Sequence, residues 1–207
     1  MMEGTGKVFG IGLSRTGTTS LAAALRLLGY RSIHFPDPAR LLAGDFAILD
    51  DFDAATDTPV TAFFPELDRR YPGSRFILTL RGIEGWLRSM EAHFERRGPQ
   101  ADGGAGAEIR RLGFGRVVFE REHFRAAFEA HTARVRGYFK GRPEDLLEMD
   151  IPGGDGWEKL CPFLGCAVPG VSFPRRNERP ERRARDRYYT RTITGPGLGW
   201  GTARPGG

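Results

Sequence analysis

The residues best equipped to do chemistry lie near the start of the chain, in the run GIGLSRTGTTSL from Gly10 to Leu21. Glycines let the backbone turn sharply, so that successive amide N–H groups point into one anion site. The helix expected to follow adds its positive end and its orphan amide donors. Thr18 and Thr19 carry hydroxyls that can donate to phosphate oxygens, and Arg15 supplies a permanent positive charge inside the loop. Ser14, Thr16, Gly17 and Ser20 complete a candidate phosphate cradle spanning Ser14 to Ser20. The spacing Gly12-x-x-x-x-Gly17 is that of a nucleoside-triphosphatase loop, but Thr18 stands where such a loop needs lysine for the β- and γ-phosphates. A small-molecule or nucleotide kinase is therefore a weaker reading than a protein that holds phosphate without transferring a γ-phosphoryl group.

At this point the sequence resembles the sulfotransferase family, whose first strand leads into a loop of the form Lys/Arg-Ser/Thr-Gly-Thr-Thr. Arg15-Thr16-Gly17-Thr18-Thr19 matches it, with arginine where the hormone-type members carry lysine, as in a smaller and mostly microbial branch. The family's second signature is an arginine that ends a central strand and a serine eight residues later; Arg81 and Ser89 in LRGIEGWLRS match in spacing and context. The resemblance extends through TDTPVTAFFPELDRRYPGSRFILTLR and WEKLCPFLG, and spans most of residues 7 to 177. It implies that Ser14–Ser20 hold the 5′-phosphosulfate of 3′-phosphoadenosine-5′-phosphosulfate (PAPS) and that Arg81 and Ser89 hold its 3′-phosphate. It further implies sulfuryl transfer to a hydroxyl or amine of a small-molecule acceptor, with Arg15 stabilising the departing phosphate and no metal required.

The acceptor needs a base, and here alternatives stay open. Asp57 lies between the two donor motifs, near where hormone-type members carry a histidine; its other role is to cap a turn. Asp37 and His34 follow the second strand, where polysaccharide-type members carry a glutamate; their other roles are a helix N-cap and a packed histidine. The order of preference is Asp57, Asp37, His34. A sulfotransferase-like binding protein that has lost activity also fits an uncertain base. Arg175 and Arg176 are placed either to reach the 3′-phosphate or to begin a solvated basic tail.

The elements that must position these groups are legible in outline. Lys7–Gly12 reads as a buried first strand and Thr19–Leu28 as a helix closed by Gly29. Ser32–Phe35 and Phe46–Leu49 read as strands, with a short helix from Asp37–Pro38 between them. One helix is expected from Thr58–Pro59 to Arg70, a strand at Arg75–Leu80, and a helix carrying Trp86, Leu87, Met90 and Phe94 on one side. By composition Gly98–Gly106 is a mobile loop. A long amphipathic helix at about Glu122–Phe139, a strand at Leu146–Met149 and a helix at Trp157–Leu164 follow. Strands alternating with helices predict an α/β, three-layer fold of the P-loop type, a central parallel sheet covered by helices on both faces.

Composition sets the remaining bounds. The 207 residues suit one such domain, expected at 1–174, followed by an Arg/Gly/Pro-rich tail at 175–207. The net charge of +5 favours anionic ligands, but the arginines between Arg175 and Arg191 carry much of it, so the domain is closer to neutral. No nucleic-acid-binding module accompanies that tail, and no nucleic-acid partner is expected. Cys161 and Cys166, five residues apart, imply no disulfide framework. With no signal-peptide pattern and no apolar run long enough to span a bilayer, a cytoplasmic protein is expected.

Overall fold

The first strand, β1 (Val8–Gly10), alternates its side chains across a sheet that is buried on both faces, so every residue in it is apolar or glycine. In the computed structural model, which describes residues 6–97 and 103–176, β1 pairs in parallel with β3 (Ala54–Thr56) on one side and β4 (Arg75–Thr79) on the other. Outside these lie β2 (Ser32–His34) and β5 (Leu146–Met149), giving a five-stranded, all-parallel sheet in the order β2-β3-β1-β4-β5. The chain leaves β1 toward β2 and β3, then crosses back over β1 to β4. The sheet's order thus reverses around the C-terminal end of β1, where ligands collect in open parallel sheets. The register sets Gly10 beside Thr56 and Thr56 beside His34, so the residues that follow these three strands emerge together.

Helices cover both faces. On one, α1 (Thr18–Leu27) and α8 (Trp157–Leu164) pack against Val8, Ile77 and Met149. On the other, α3 (Thr58–Ala62), α4 (Phe64–Arg70) and α7 (Arg121–Tyr138) bury Phe9, Phe76 and Leu78, with the Phe76 and Phe139 rings 4.9 Å apart. A third apolar cluster lies beneath the loop after β1. There Leu13 meets Trp86, Leu87 and Met90 of α5 (Ile83–Arg97), Phe114 of α6 (Ala105–Phe114), and Phe124 and Phe128 of α7. The α/β architecture with a doubly covered parallel sheet is the expected one.

Four local expectations are corrected. Phe46–Leu49 forms a 3-10 turn rather than a strand, following α2 (Pro38–Leu42). Its ring at Phe46 packs edge-on against Phe63 at 5.6 Å, and the Phe46 carbonyl accepts a hydrogen bond from the Tyr71 hydroxyl at 3.0 Å. The third strand is Ala54–Thr56 instead, small residues buried by the strands on either side. The helix expected over Thr58–Arg70 breaks at Phe63, because Pro65 has no N–H to donate to the preceding turn and its ring would crowd that turn. Ala105 and Gly106 belong to α6 rather than to a loop; burial of Ala107, Ile109 and Phe114 outweighs the glycines around them. Gly103 and Gly104 remain outside the helix, as expected, while 98–102 and the tail from 177 onward lie outside the described residues. Among the described residues no helix is long and apolar enough to cross a membrane.

Candidate active site

The loop from Ile11 to Gly17 is held by helix side chains at the carbonyls of Ile11, Gly12 and Ser14. The Thr61 hydroxyl donates to the Gly12 carbonyl at 2.8 Å, and the Trp86 indole N–H donates to that of Ser14 at 2.9 Å. His131 on α7 donates Nε2–H to the Ile11 carbonyl at 2.8 Å, and burial holds its pKa below the ordinary imidazole value, which keeps the ring neutral. Gly12 is required by close approach: a Cβ there would lie 2.0 Å from Thr79 Oγ1. Thr16 is buried, and its hydroxyl bonds the Leu13 carbonyl and Thr79 Oγ1, each at 2.6 Å, while its N–H bonds Leu13 as well. Thr16, expected as a phosphate contact, is thus taken up inside the loop as a brace.

The rest of the loop leads into α1. Gly17, at φ 110°, is the N-cap of α1 and brings no side chain to cap it, so the amides of the first turn, at Thr18 to Ser20, are offered to an anion. Arg15 sits in left-handed backbone at φ 74°, and its Nε donates to Ser89 Oγ at 3.1 Å. The two family signatures are thereby in direct contact. Ser20 receives the backbone N–H of Arg176 at 2.8 Å. Arg175 turns the other way and donates to the carbonyls of Ile151 and Gly154 at 2.6 and 2.9 Å. Arg81, half-buried at the end of β4, lays its guanidinium along α5 beside Gly85.

The candidate bases separate cleanly. Asp37 is exposed and caps α2, accepting from the Ala39 N–H at 2.9 Å. Its carboxylate therefore serves its own helix, and the structure gives Asp37 no contact with the loop. Asp57 does the opposite. It stands at the N-cap position of α3 yet makes no capping bond, and its backbone lies at φ 88°, ψ 176°, a region populated almost only by glycine. In that strained conformation its carboxylate accepts from Ser14 Oγ at 2.9 Å and faces His34 Nε2 at 3.3 Å. Thr58 Oγ1 also lies within hydrogen-bonding reach of both Ser14 and Asp57. His34 Nδ1 meets Thr56 Oγ1 at 2.9 Å, and its Nε2 also lies 3.1 Å from Thr19 Oγ1. Both ring nitrogens of His34 are thus bonded to hydroxyls, with the Asp57 carboxylate close beside Nε2. Two of the three candidates, Asp57 and His34, therefore lie against each other, each bonded to a residue of the loop, Ser14 and Thr19 respectively.

Three bracing residues, Thr61, Trp86 and His131, escaped sequence reasoning. They come from three separate helices and share no motif; a buried polar side chain on an apolar helix face was the only available signal. Cys161 and Cys166 are free thiols on or just after α8, and burial pushes Cys161 up to about 11, which leaves it an inert core group. Among the described residues no group of three or more His, Cys, Asp or Glu side chains is arranged to hold a metal ion.

With this geometry in hand, comparison with known proteins is decisive at the family level. The model of the sulfotransferase domain matches residues 7–182. The chain belongs to the sulfotransferase family. It is similar to the Ava biosynthesis cluster protein M of Aspergillus versicolor, at 28% identity over 214 residues covering 81% of this chain and 79% of that one. Its fold is shared with the crystal structure of a sulfotransferase from Alicyclobacillus acidocaldarius, at TM-score 0.54 and 16% identity, over 90% of this chain and 92% of the other.

Proposed function

We propose that this sulfotransferase takes PAPS as donor and moves its sulfuryl group to a hydroxyl or amine of a small-molecule acceptor, with Asp57 as the base. The observation that carries the reading is the orientation of Asp57: a carboxylate held in glycine-like backbone, turned away from its own helix and onto Ser14 of the phosphate loop. The donor set fits the group. Arg15, the amides at the start of α1 and the hydroxyls of Thr18 and Thr19 suit the 5′-phosphosulfate, and Arg81 with Ser89 suits the 3′-phosphate. PAPS supplies an activated sulfuryl group; the chain supplies position and charge. Asp57 accepts the acceptor's proton. His34, fixed by the hydroxyls of Thr56 and Thr19, packs against that carboxylate and limits its movement. Arg15 and the helix end stabilise negative charge on the leaving phosphate, where a permanent cation has its greatest effect.

Incubation with PAPS and a panel of alcohols, phenols and amines tests the proposal. Sulfated product and adenosine 3′,5′-bisphosphate should accumulate in equal amounts. Tight bisphosphate binding with no product from any acceptor would point to an inactive binding protein, and ATP consumption in place of PAPS to a kinase.

A further inference from the structure

Arg81, Gly85 and Arg88 occupy one stripe at the start of α5, four and then three residues apart, so they stack on successive turns. A Cβ placed on Gly85 would lie 3.4 Å from Arg81 Nε, 4.0 Å from Arg81 Nη2 and 3.9 Å from Arg88 Nη2. Two guanidinium groups thus converge over the one position in this turn that has no side chain. Neighbouring arginines are neutralised: Arg121 and Arg125 both bond Glu84, at 2.6 and 2.5 Å, and Arg136 bonds Glu148 at 2.7 and 2.8 Å. Arg81 and Arg88 are different. Among the described residues neither makes an ion pair or a hydrogen bond, and Glu84, the carboxylate next in sequence to Gly85, is occupied by Arg121 and Arg125. The one acidic residue sharing a cavity wall with Arg81 is Glu129, across a space of about 450 Å³ bounded by Leu80, Phe128 and Thr132. Ser89, the residue after Arg88, is the one bonded to Arg15, so this pair of cations continues directly into the phosphate loop.

Like charges brought together without a carboxylate repel each other, and an anion bridging them removes that cost. A terminal phosphate has three acceptor oxygens and nearly two negative charges, enough for two guanidinium groups. We propose that Arg88 joins Arg81 as a second ligand of the donor's 3′-phosphate, over the gap left by Gly85, and that the pair sets the preference for a 3′-phosphorylated nucleotide. This inference rests on the PAPS reading above.

The test is the affinity of adenosine 3′,5′-bisphosphate and of AMP, at one salt concentration, for the native chain and for Arg81→Ala, Arg88→Ala and Gly85→Glu. Arg88 is exposed, so its replacement leaves the core intact. Arg88→Ala should weaken the bisphosphate about tenfold and change AMP by less than about twofold. Gly85→Glu puts a carboxylate between the two arginines on a better helix former than glycine, and should weaken the bisphosphate at least as much. Arg88→Ala with unchanged bisphosphate affinity, or with equal losses for both nucleotides, overturns the inference while an Arg81→Ala loss leaves the donor reading standing. If Arg81→Ala itself leaves the bisphosphate preference intact, the donor reading fails and this inference with it.

Discussion

Two regions at the C-terminal edge of the sheet are built in opposite ways. On the β2–β3 side, Asp57 bonds Ser14, His34 bonds Thr56 and Thr19, and the two meet at 3.3 Å with side chains only 12% and 11% exposed. On the β4–α5 side, Arg81 and Arg88 carry full charges that no described residue answers. The closed cluster is satisfied without a ligand, and what it holds ready is a carboxylate in strained backbone. The open strip has no protein partner among the described residues and faces solvent. Under the proposed function, chemistry and affinity fall to different halves of the site, joined by the Arg15–Ser89 contact.

That division is broken most directly at Asp57. Asp57→Asn keeps the size and most of the hydrogen bonding, so adenosine 3′,5′-bisphosphate should bind within about twofold of the native affinity while initial transfer rates fall by about 10²–10⁴-fold. A parallel loss of binding and turnover would merge the two regions. From the other side, Arg81→Ala should weaken the bisphosphate by about 10–100-fold in a titration without lowering the unfolding midpoint, because that guanidinium has no described partner to lose.

The backbone at Asp57 sharpens the comparison further. At φ 88°, ψ 176° a non-glycine residue costs about 1–3 kcal/mol, so Asp57→Gly should be more stable than Asp57→Ala by about that amount in urea unfolding, with both expected to lose transfer activity. Equal stabilities would show that the conformation stores no strain. The smallest expected effect lies beneath the loop, at His131. Burial lowers its folded-state pKa below the ordinary value of 6.5, so the unfolded chain binds the proton more readily. Its contribution to stability is therefore complete above about pH 6.5 and declines as pH falls toward the folded value. His131→Gln, which can still donate to Ile11, should flatten the fall in urea midpoint between neutral and mildly acidic pH. An unchanged slope would assign that fall to other groups.

How much of this was legible beforehand depended on whether the signal was local. KVFGIG and RFILTL read as buried strands because the residues themselves are apolar, and the phosphate loop read clearly because its donors are contiguous. Ala54–Thr56 did not, since small residues become a central strand only through the neighbours that bury them, while Phe46–Leu49 shows that a short apolar run does not distinguish strand from turn. The same limit governed the site. Spacing offered Asp57, Asp37 and His34 as three separate candidates. That two of them touch follows from the register of Gly10, Thr56 and His34 across three strands, a long-range pairing that no spacing displays. The positive φ of Asp57 was equally hidden, and sequence reasoning passed over Arg88, which Gly85 sets beside Arg81 only in the folded chain.

The central claim is that this site is built for a nucleotide with phosphates on both its 3′ and 5′ positions. Adenosine 3′,5′-bisphosphate and ADP carry the same number of phosphates and differ only in where they sit, so a competition titration of the native chain with these two isomers isolates the 3′-phosphate site. The 3′,5′-bisphosphate should bind at least about tenfold more tightly, the contribution expected of one charge-assisted phosphate contact. Equal affinities, or a preference for ADP, would contradict it.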